Sequence, residues 1–230
     1  MLKVESLKIS AQVFSKTYRS LLETRKSSAS VPDVKTLWAQ DMLDLLKINF
    51  KISGSPSHHT PLLLVGNHIS YLDIALLMKA CPDFSFVAKH EISRWPVFGP
   101  GAKAAQTIFV KRENNSSRIA VREAIGQAFK NNRRVVIFPS GTTCMNESKP
   151  WKKGAFEIAK DHQVLIQPFR ISYTPLRTVA YIDKDFFPFH LYQVACNPNI
   201  QAHIEFHSPV AVNNPVEDCA DWSRWAAKDI

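Results

Sequence analysis

The sequence lacks a long hydrophobic run. Its longest uninterrupted aliphatic stretch covers residues 62–65, whereas a helix that crosses a bilayer needs about 20 apolar residues. Residues 1–6 also lack the apolar core and the small-residue cleavage site of a secretory signal. We therefore expect no transmembrane span and no signal peptide, and a chain that stays in the cytosol.

Metal and disulfide patterns are absent as well. The cysteines form no Cys-x-x-Cys pair, which argues against a zinc site or a disulfide framework and predicts reduced thiols; they are Cys81, Cys144, Cys196 and Cys219. His58 and His59 are adjacent but have no further ligands nearby in sequence, so they are a weak metal signal. The 230 residues fit one domain of ordinary size.

Acidic residues are outnumbered by basic ones. The chain has 29 Lys and Arg residues against 20 Asp and Glu, a net charge of +9 and a pI near 9.4. Such a charge predicts an anionic partner, which can be nucleic acid, anionic lipid or an acidic carrier of a cosubstrate. Because the sequence contains no zinc-finger spacing and no glycine-aromatic RNA-binding signature, we expect no nucleic-acid partner.

The N-terminal 50 residues carry the periodicity of two amphipathic helices. In the first helix the apolar stripe is Leu7, Ala11, Phe14, Tyr18 and Leu21, and basic residues flank it. The second helix begins near residues 32–33, and its apolar face is Leu37, Trp38, Met42, Leu45 and Leu46. The pattern predicts a helical hairpin over residues 1–50. Its first helix either lies in an anionic membrane interface or docks on the rest of the chain, and both can hold at once.

Residues 51–230 predict an α/β domain with a mostly buried mixed sheet flanked by helices. Short β-rich runs alternate there with helical patterns. These runs are 62–65, 84–87, 108–110, 135–138, 164–169, 179–182 and 202–206. A loop is expected over residues 52–59, which are rich in Ser, Gly, Pro and His.

The strongest local signal is Gly-Asn-His-Ile-Ser-Tyr-Leu-Asp at residues 66–73, where a buried strand ends and an apolar helix begins. Residues five apart on one helix point about 140° apart, so His68 and Asp73 can pair only if His68 lies in the turn before the helix. There is an alternative. Ser70-x-x-Asp73 is also a capping box, in which Asp73 only binds backbone donors at the helix start.

This segment resembles the His-x4-Asp signature of the glycerolipid acyltransferases, the lysophospholipid or 1-acylglycerol-3-phosphate acyltransferase family. Three further segments follow in that family's order, at residues 107–112, 138–142 and 166–168, and residues 151–156 look like a stretch that commonly follows the third motif. Together they cover roughly residues 62–173. The resemblance implies an O-acyltransferase that moves a fatty acyl group from acyl-CoA or acyl carrier protein to a lysophospholipid hydroxyl. The expected acceptor is 1-acylglycerol-3-phosphate, which would give phosphatidic acid.

The same resemblance implies roles for individual residues. His68 would be the general base and Asp73 would orient it. Arg112, with Lys111 beside it, stands where the family has a basic residue associated with the acceptor's phosphate. Residues Ser140, Gly141 and Thr142 of the third motif would contact substrate. No metal or cofactor is implied, and the protein would sit at the cytoplasmic face of a membrane, bound peripherally to its anionic surface.

The third motif departs from the common form Phe-Pro-Glu-Gly-Thr-Arg. Ser140 replaces the glutamate and Thr143 the arginine, which puts the acceptor in doubt. The pair Thr142-Thr143 resembles the branch that acylates lyso-ornithine lipid. Two other classes stay open: a catalytically silent lipid-binding protein of the same fold, and a serine hydrolase, although no Gly-x-Ser-x-Gly elbow is present. Cys144 is a weak candidate nucleophile.

Overall fold

The computed structural model describes residues 4–26, 30–111, 115–145, 149–182 and 185–228. Its described strands form one seven-stranded sheet in the order β1-β7-β6-β2-β5-β3-β4. The strands are β1 (Asn49–Ser53), β2 (Leu62–Gly66), β3 (Ser85–Lys89), β4 (Ile108–Val110), β5 (Arg134–Ile137), β6 (Leu165–Thr174) and β7 (Gln201–Phe206). Strand β2 lies at the centre and all five of its residues are buried, as its aliphatic sequence predicts.

The sheet is mixed. Strand β2 runs parallel to β5 and β6, and β3 runs parallel to β5 and β4. Strand β7 is antiparallel to β6, and β1 is parallel to β7. The carboxyl ends of β2, β5, β3 and β4 therefore meet at one edge. The predicted α/β architecture with a mixed sheet is confirmed.

Helices cover both faces. They are α1 (Val4–Lys26), α2 (Val31–Leu45), α3 (Leu72–Ala80), α4 (Phe98–Ala104), α5 (Asn115–Lys130), α6 (Gly154–Asp161), α7 (Leu176–Val179), α8 (Phe187–Ala195) and α9 (Pro215–Ala227), with a 3-10 helix at His90–Arg94. Residues of α1, α2, α3 and α8 pack in the core on one face, and residues of α5, α6 and α9 pack in the core on the other. Within the described ranges no helix is long and apolar enough to cross a bilayer.

The N-terminal helices pack on the same core as α3. Ser30 caps α2, its hydroxyl accepting from the Asp33 backbone N–H at 3.3 Å, and the Trp38 indole N–H donates to Thr17 Oγ1 at 3.0 Å, which joins α2 to α1. The apolar stripe predicted for the first helix is partly buried and partly exposed. Leu21 is buried, but Leu7 is 46% exposed and Tyr18 is 52% exposed.

Two local predictions were wrong. Residues 179–182 are not a strand, because Val179 ends α7 and the chain then turns towards α8. The loop expected from residue 52 begins later, since β1 extends to Ser53. Among the described strands, β1 pairs with β7 alone, and all five of its residues are exposed or half-buried. It therefore has no buried apolar run. The predicted boundary between residues 50 and 51 falls inside this strand.

Candidate active site

The strand-turn-helix connection after β2 brings His68 and Asp73 together. Strand β2 ends at Gly66 and α3 begins at Leu72, so His68 lies in the intervening turn at the carboxyl edge of the sheet. His68 Nδ1 is 2.7 Å from Asp73 Oδ2. The His68 side chain is 18% exposed and that of Asp73 is fully buried. The geometry required by the sequence spacing is therefore present.

Asp73 also binds the backbone at the helix start. Its Oδ2 accepts from the N–H groups of Ile69 at 2.7 Å and Ser70 at 3.0 Å, and its Oδ1 accepts from the Tyr173 hydroxyl at 2.7 Å. One carboxylate thus takes part in both arrangements that the sequence left open, the capping of α3 and the pairing with histidine. Burial, reinforced by the charge of Asp73, raises the pKa of Tyr173 well above its ordinary value, so this phenol stays a proton donor.

The contacts of His68 determine which ring nitrogen carries the proton. A carboxylate only accepts hydrogen bonds, so a neutral His68 carries its proton on Nδ1 and leaves Nε2 as a base. The imidazole stacks on the Phe138 ring, with centroids 3.9 Å apart and an interplanar angle of 11°. The His68 carbonyl accepts from the Cys144 N–H at 2.8 Å, and the Ile69 carbonyl accepts from the Tyr181 N–H at 3.0 Å. These contacts hold the turn in one orientation.

Asn67 ties the same turn to β6. Its side-chain amide donates to the Ile171 carbonyl at 2.7 Å and its side-chain oxygen accepts from the Ile171 N–H at 2.7 Å. Gly66 precedes it, and a Cβ at Gly66 would lie 2.4 Å from the ring of Phe169. Phe169 packs on Phe138, with ring centroids 6.0 Å apart. The absence of a side chain at Gly66 therefore allows the packing that supports the His68 ring.

The third motif forms a turn beside this pair. Gly141 has a φ of 74°, a left-handed conformation that favours glycine. The buried Ser140 hydroxyl donates to the Thr142 carbonyl at 2.9 Å, and the Thr143 hydroxyl donates to the Tyr181 carbonyl. Both hydroxyls at the positions that depart from the family form thus stabilise the turn. Gly141, Thr142 and Thr143 line the cavity described next, and Ser140 lies behind them.

A cavity of about 520 Å³ opens beside His68 and is mostly apolar. Near His68 it is lined by Phe138, Tyr71 and Leu72, and it continues between α3 and the N-terminal helices. The Tyr71 hydroxyl is 3.1 Å from His190 Nδ1, and His190 Nε2 is 3.1 Å from the Ala180 carbonyl oxygen. A carbonyl can only accept, so Nε2–H is the donor there and Nδ1 accepts from the Tyr71 hydroxyl. Burial lowers the pKa of His190, which favours this neutral form.

Lys111, the described basic residue of the second motif, is not next to His68. Lys111 is exposed and follows β4, the edge strand, three strand positions from β2 or about 14 Å across the sheet. It lies outside the cavity lining. Arg112 lies outside the described residues. Cys144 is buried, and its observed contact with the site is the backbone bond to His68.

Residue spacing alone did not reveal Tyr173 or Phe138 as partners of the His-Asp pair. Tyr173 is 100 residues from Asp73 in the chain, and no pattern near Asp73 indicates it. Phe138 was part of the third motif, but its stacking on His68 depends on β5 lying next to β2. Among the described residues, no group of three or more His, Cys, Asp or Glu side chains is arranged to hold a metal ion.

Comparison with known proteins identifies the family. The model of the acyltransferase family matches residues 47–172, more than half of the chain. A lyso-ornithine lipid O-acyltransferase of Pseudomonas aeruginosa is 29% identical over 178 residues, covering 75% of this chain and 68% of that protein. A lyso-ornithine lipid O-acyltransferase of Rhizobium meliloti is 33% identical, and the match covers 60% of this chain and 49% of the Rhizobium protein. The chain thus spans between half and about two thirds of these relatives.

Two further matches concern a second acceptor and the fold. A 1-acyl-sn-glycerol-3-phosphate acyltransferase of Neisseria gonorrhoeae is 32% identical, covering 46% of this chain and 42% of that protein. The crystal structure of the 1-acyl-sn-glycerophosphate acyltransferase of Thermotoga maritima superimposes with a TM-score of 0.72 and 16% identity, covering 99% of this chain and 95% of that one. The family resemblance inferred from the motifs, and with it the O-acyltransferase class, is confirmed. Because the family model matches more than half of the chain, the chain belongs to the acyltransferase family.

Proposed function

We propose that this protein transfers a fatty acyl group from the thioester of acyl-CoA or acyl carrier protein to the free hydroxyl of a lysophospholipid, with 1-acylglycerol-3-phosphate as acceptor and phosphatidic acid as product. The observation that carries the proposal is the His68–Asp73 pair, 2.7 Å apart, at an apolar cavity. Burial of about ten methylenes of an acyl tail at roughly 0.8 kcal/mol each would contribute on the order of 8 kcal/mol to binding.

In the proposed reaction His68 Nε2 removes the proton of the acceptor hydroxyl as its oxygen attacks the thioester carbonyl. The carbonyl oxygen becomes an oxyanion, which we assign to the backbone N–H donors of Thr142 and Thr143 in the turn after β5. When the carbon–sulfur bond breaks, His68 returns the proton to the departing thiolate. The products are the new ester and the free thiol. Asp73 stabilises the transient imidazolium through Nδ1. This scheme uses no metal or cofactor, and general-base assistance contributes roughly 10²- to 10⁴-fold.

The first experiment is acyl transfer by purified protein, with labelled acyl-CoA and acyl carrier protein as donors and a panel of lyso-lipids as acceptors. We expect His68→Ala to lose about 10²- to 10⁴-fold in turnover. His59→Ala is the matched control, because His59 is exposed on the loop before β2, and it should retain full activity. An inactive wild type across the whole panel would favour the lipid-binding class, and serine labelling by a fluorophosphonate would favour a hydrolase.

Lyso-ornithine lipid is the second candidate acceptor. Neither Ser140 nor Thr143 supplies the charge of the glutamate and arginine of the common motif, and both hydroxyls are engaged with main-chain carbonyls. The Pseudomonas relative, which bears that activity in its name, covers 75% of this chain. Turnover with 1-acylglycerol-3-phosphate and with lyso-ornithine lipid in the same assay decides between the two acceptors. Loss of turnover with 1-acylglycerol-3-phosphate in Lys111→Ala would support the phosphate-bearing acceptor.

The protein is also proposed to bind an anionic membrane surface through its N-terminal helices. Val4 and Leu7 of α1 are 66% and 46% exposed, Tyr18 is 52% exposed, and Leu37 of α2 is 64% exposed. Exposed Lys8 and Arg19 accompany them on α1. Exposed apolar groups beside basic ones suit the interface of an anionic bilayer, where each basic residue contributes about 1 kcal/mol.

Vesicle co-sedimentation tests this surface. The double variant Leu7→Ser with Leu37→Ser should bind vesicles that contain anionic lipid more weakly than wild type, and added salt should weaken binding of both. Val216→Ser is the matched control, because Val216 is 57% exposed on α9, on the opposite face of the sheet. Equal binding by all three proteins would refute the assignment of the surface to α1 and α2.

A further inference from the structure

Three hydrogen bonds form a closed ring that includes both turns of the active site. The Cys144 N–H donates to the His68 carbonyl at 2.8 Å, and the Tyr181 N–H donates to the Ile69 carbonyl at 3.0 Å. The Tyr181 carbonyl accepts from the Thr143 hydroxyl. The two acceptors His68 and Ile69 are consecutive in the chain, and so are the two donors Thr143 and Cys144, which closes the ring. Two of the three bonds join main-chain groups, so the bond from Thr143 is the one that needs a particular side chain.

The middle of the ring is a short segment, residues 180–182, which we call the strap. It is fixed independently of the two turns. Ala180 is buried, and its carbonyl accepts from His190 Nε2 at 3.1 Å. Ile182 and Asp185 exchange two hydrogen bonds, both at 3.0 Å. Because buried main-chain groups are unfavourable without partners, these bonds hold the strap in one position. The carbonyl of its middle residue is therefore a fixed acceptor.

Thr143 lies where the two parts of the proposed catalytic machinery meet. Its backbone N–H is one of the two donors assigned to the oxyanion, and the N–H of the next residue bonds the His68 carbonyl. Thr143 and Tyr181 both line the cavity beside His68. The general base and the oxyanion donors must act on one substrate in one geometry, and a displacement of about 1 Å can reduce the rate about 10²-fold.

We propose that Thr143 is a positioning residue, whose hydroxyl binds the strap and thereby keeps the oxyanion donors and the His68 turn in register. In this role Thr143 acts through the main chain and does not bind the acceptor's head group, although it stands where the common motif has an arginine. The role needs a hydroxyl and no charge. The inference rests on the proposed acyl transfer, because the oxyanion forms only in that reaction.

Thr143→Val tests this role, because valine has nearly the shape of threonine but lacks the hydroxyl. We expect kcat to fall about 10- to 100-fold while KM for donor and acceptor stays within about threefold of wild type, since the loss occurs in the transition state. Thr143→Ser keeps the hydroxyl and should keep kcat within about threefold of wild type. Thr143→Ala replaces the valine variant if that protein does not fold.

Thr36→Val is the matched control. The Thr36 side chain is half-buried, as is that of Thr143, and its hydroxyl donates to the Pro32 carbonyl at 3.0 Å. The substitution therefore also removes a bond from a threonine hydroxyl to a main-chain carbonyl, but it does so within α2 and outside the cavity lining. It should leave kcat and KM unchanged.

Amide hydrogen exchange measures the ring without turnover. In Thr143→Val the peptides that contain Ile69 and Ser70 should exchange faster than in wild type, because opening the ring allows their turn to open more often. Thr143→Ser and Thr36→Val should exchange at the wild-type rate.

The outcomes separate this inference from the proposed function. Unchanged kcat or unchanged exchange in folded Thr143→Val would overturn the role of Thr143 while leaving acyl transfer intact. A loss confined to the acceptor's KM would overturn it too, because Thr143 would then bind the head group, and so would a serine variant as impaired as the valine variant. A wild type that turns over no acceptor would refute the proposed function, and faster exchange in Thr143→Val would still support the ring.

Discussion

Replacement of Asp73 by Asn separates helix capping from catalysis. In the structure one carboxylate oxygen accepts from His68 Nδ1 and from two backbone N–H groups, those of Ile69 and Ser70, and the other accepts from Tyr173. An asparagine can keep this geometry if its oxygen faces the three N–H donors and its amide faces the phenol, whose oxygen can also accept. The substitution then removes charge and leaves the shape of the site nearly unchanged.

The expected magnitudes follow from these contacts. Hydrogen bonds to charged groups contribute about 1.5–3 kcal/mol and neutral ones about 0.5–1.5, but the variant no longer buries a charge, which offsets part of the loss. We expect a net destabilisation of about 1–3 kcal/mol. Catalysis should lose more, because the imidazolium of His68 loses its counter-charge. A decrease in kcat of roughly 10²- to 10⁴-fold corresponds to about 3–5 kcal/mol in the activation free energy.

The assay compares acyl-transfer rates with urea-unfolding midpoints at a temperature where both proteins are folded. Asn214→Ala is a matched capping control, because the Asn214 side chain accepts from the Val216 N–H at the start of α9, on the other face of the sheet. It should cost about 1 kcal/mol of stability and leave kcat unchanged. If Asp73→Asn keeps kcat within about threefold of wild type, Asp73 is a capping residue and the catalytic assignment fails.

Three further predictions concern residues around the pair. Tyr173→Phe removes one hydrogen bond to the buried Asp73 carboxylate and should cost about 1.5–3 kcal/mol in urea unfolding; an unchanged midpoint would contradict this contact. Gly66→Ala places a Cβ 2.4 Å from the Phe169 ring, and the overpacking should cost about 1–3 kcal/mol by the same measurement. His190 is buried with its pKa lowered from 6.5, so the unfolded chain binds its proton at a higher pH than the folded one. The free energy of unfolding of the wild type should therefore decrease as the pH falls below about 6.5, and that of His190→Gln should decrease less. If the two proteins give parallel curves of unfolding free energy against pH, the lowered pKa of His190 is refuted.

The His68–Asp73 unit was predictable because its determinants are local. An aliphatic strand, a short turn and an apolar helix follow one another within residues 62–80, and the five-residue spacing permits the pair only when His68 precedes the helix. The turn at Gly141 was also predictable, since the glycine after β5 adopts the positive φ that such a turn needs. These features depend on sequence neighbours, which a linear pattern contains.

Elements whose structure depends on distant partners were harder to predict. Strand β1 has no buried run of its own, and its backbone pairs with β7, about 150 residues later. Residues 179–182 have the short apolar pattern of a strand, yet they include the end of α7, and their apolar character serves packing against the core, where Val179 and Ala180 are buried. Periodicity over so few residues does not separate the two cases.

The sequence by itself determined the family and the α/β class, and its spacing set the condition under which His68 pairs with Asp73, namely that His68 lies in the turn before the helix. Tertiary structure decided which face of α1 meets the protein and which stays exposed, because an apolar stripe does not specify what covers it. It also decided that the Tyr173 hydroxyl donates to Asp73, and that the Lys35 amine donates to the Phe84 carbonyl. These contacts join segments 49 and 100 residues apart, and only the packing of helices and strands around the sheet brings such segments together.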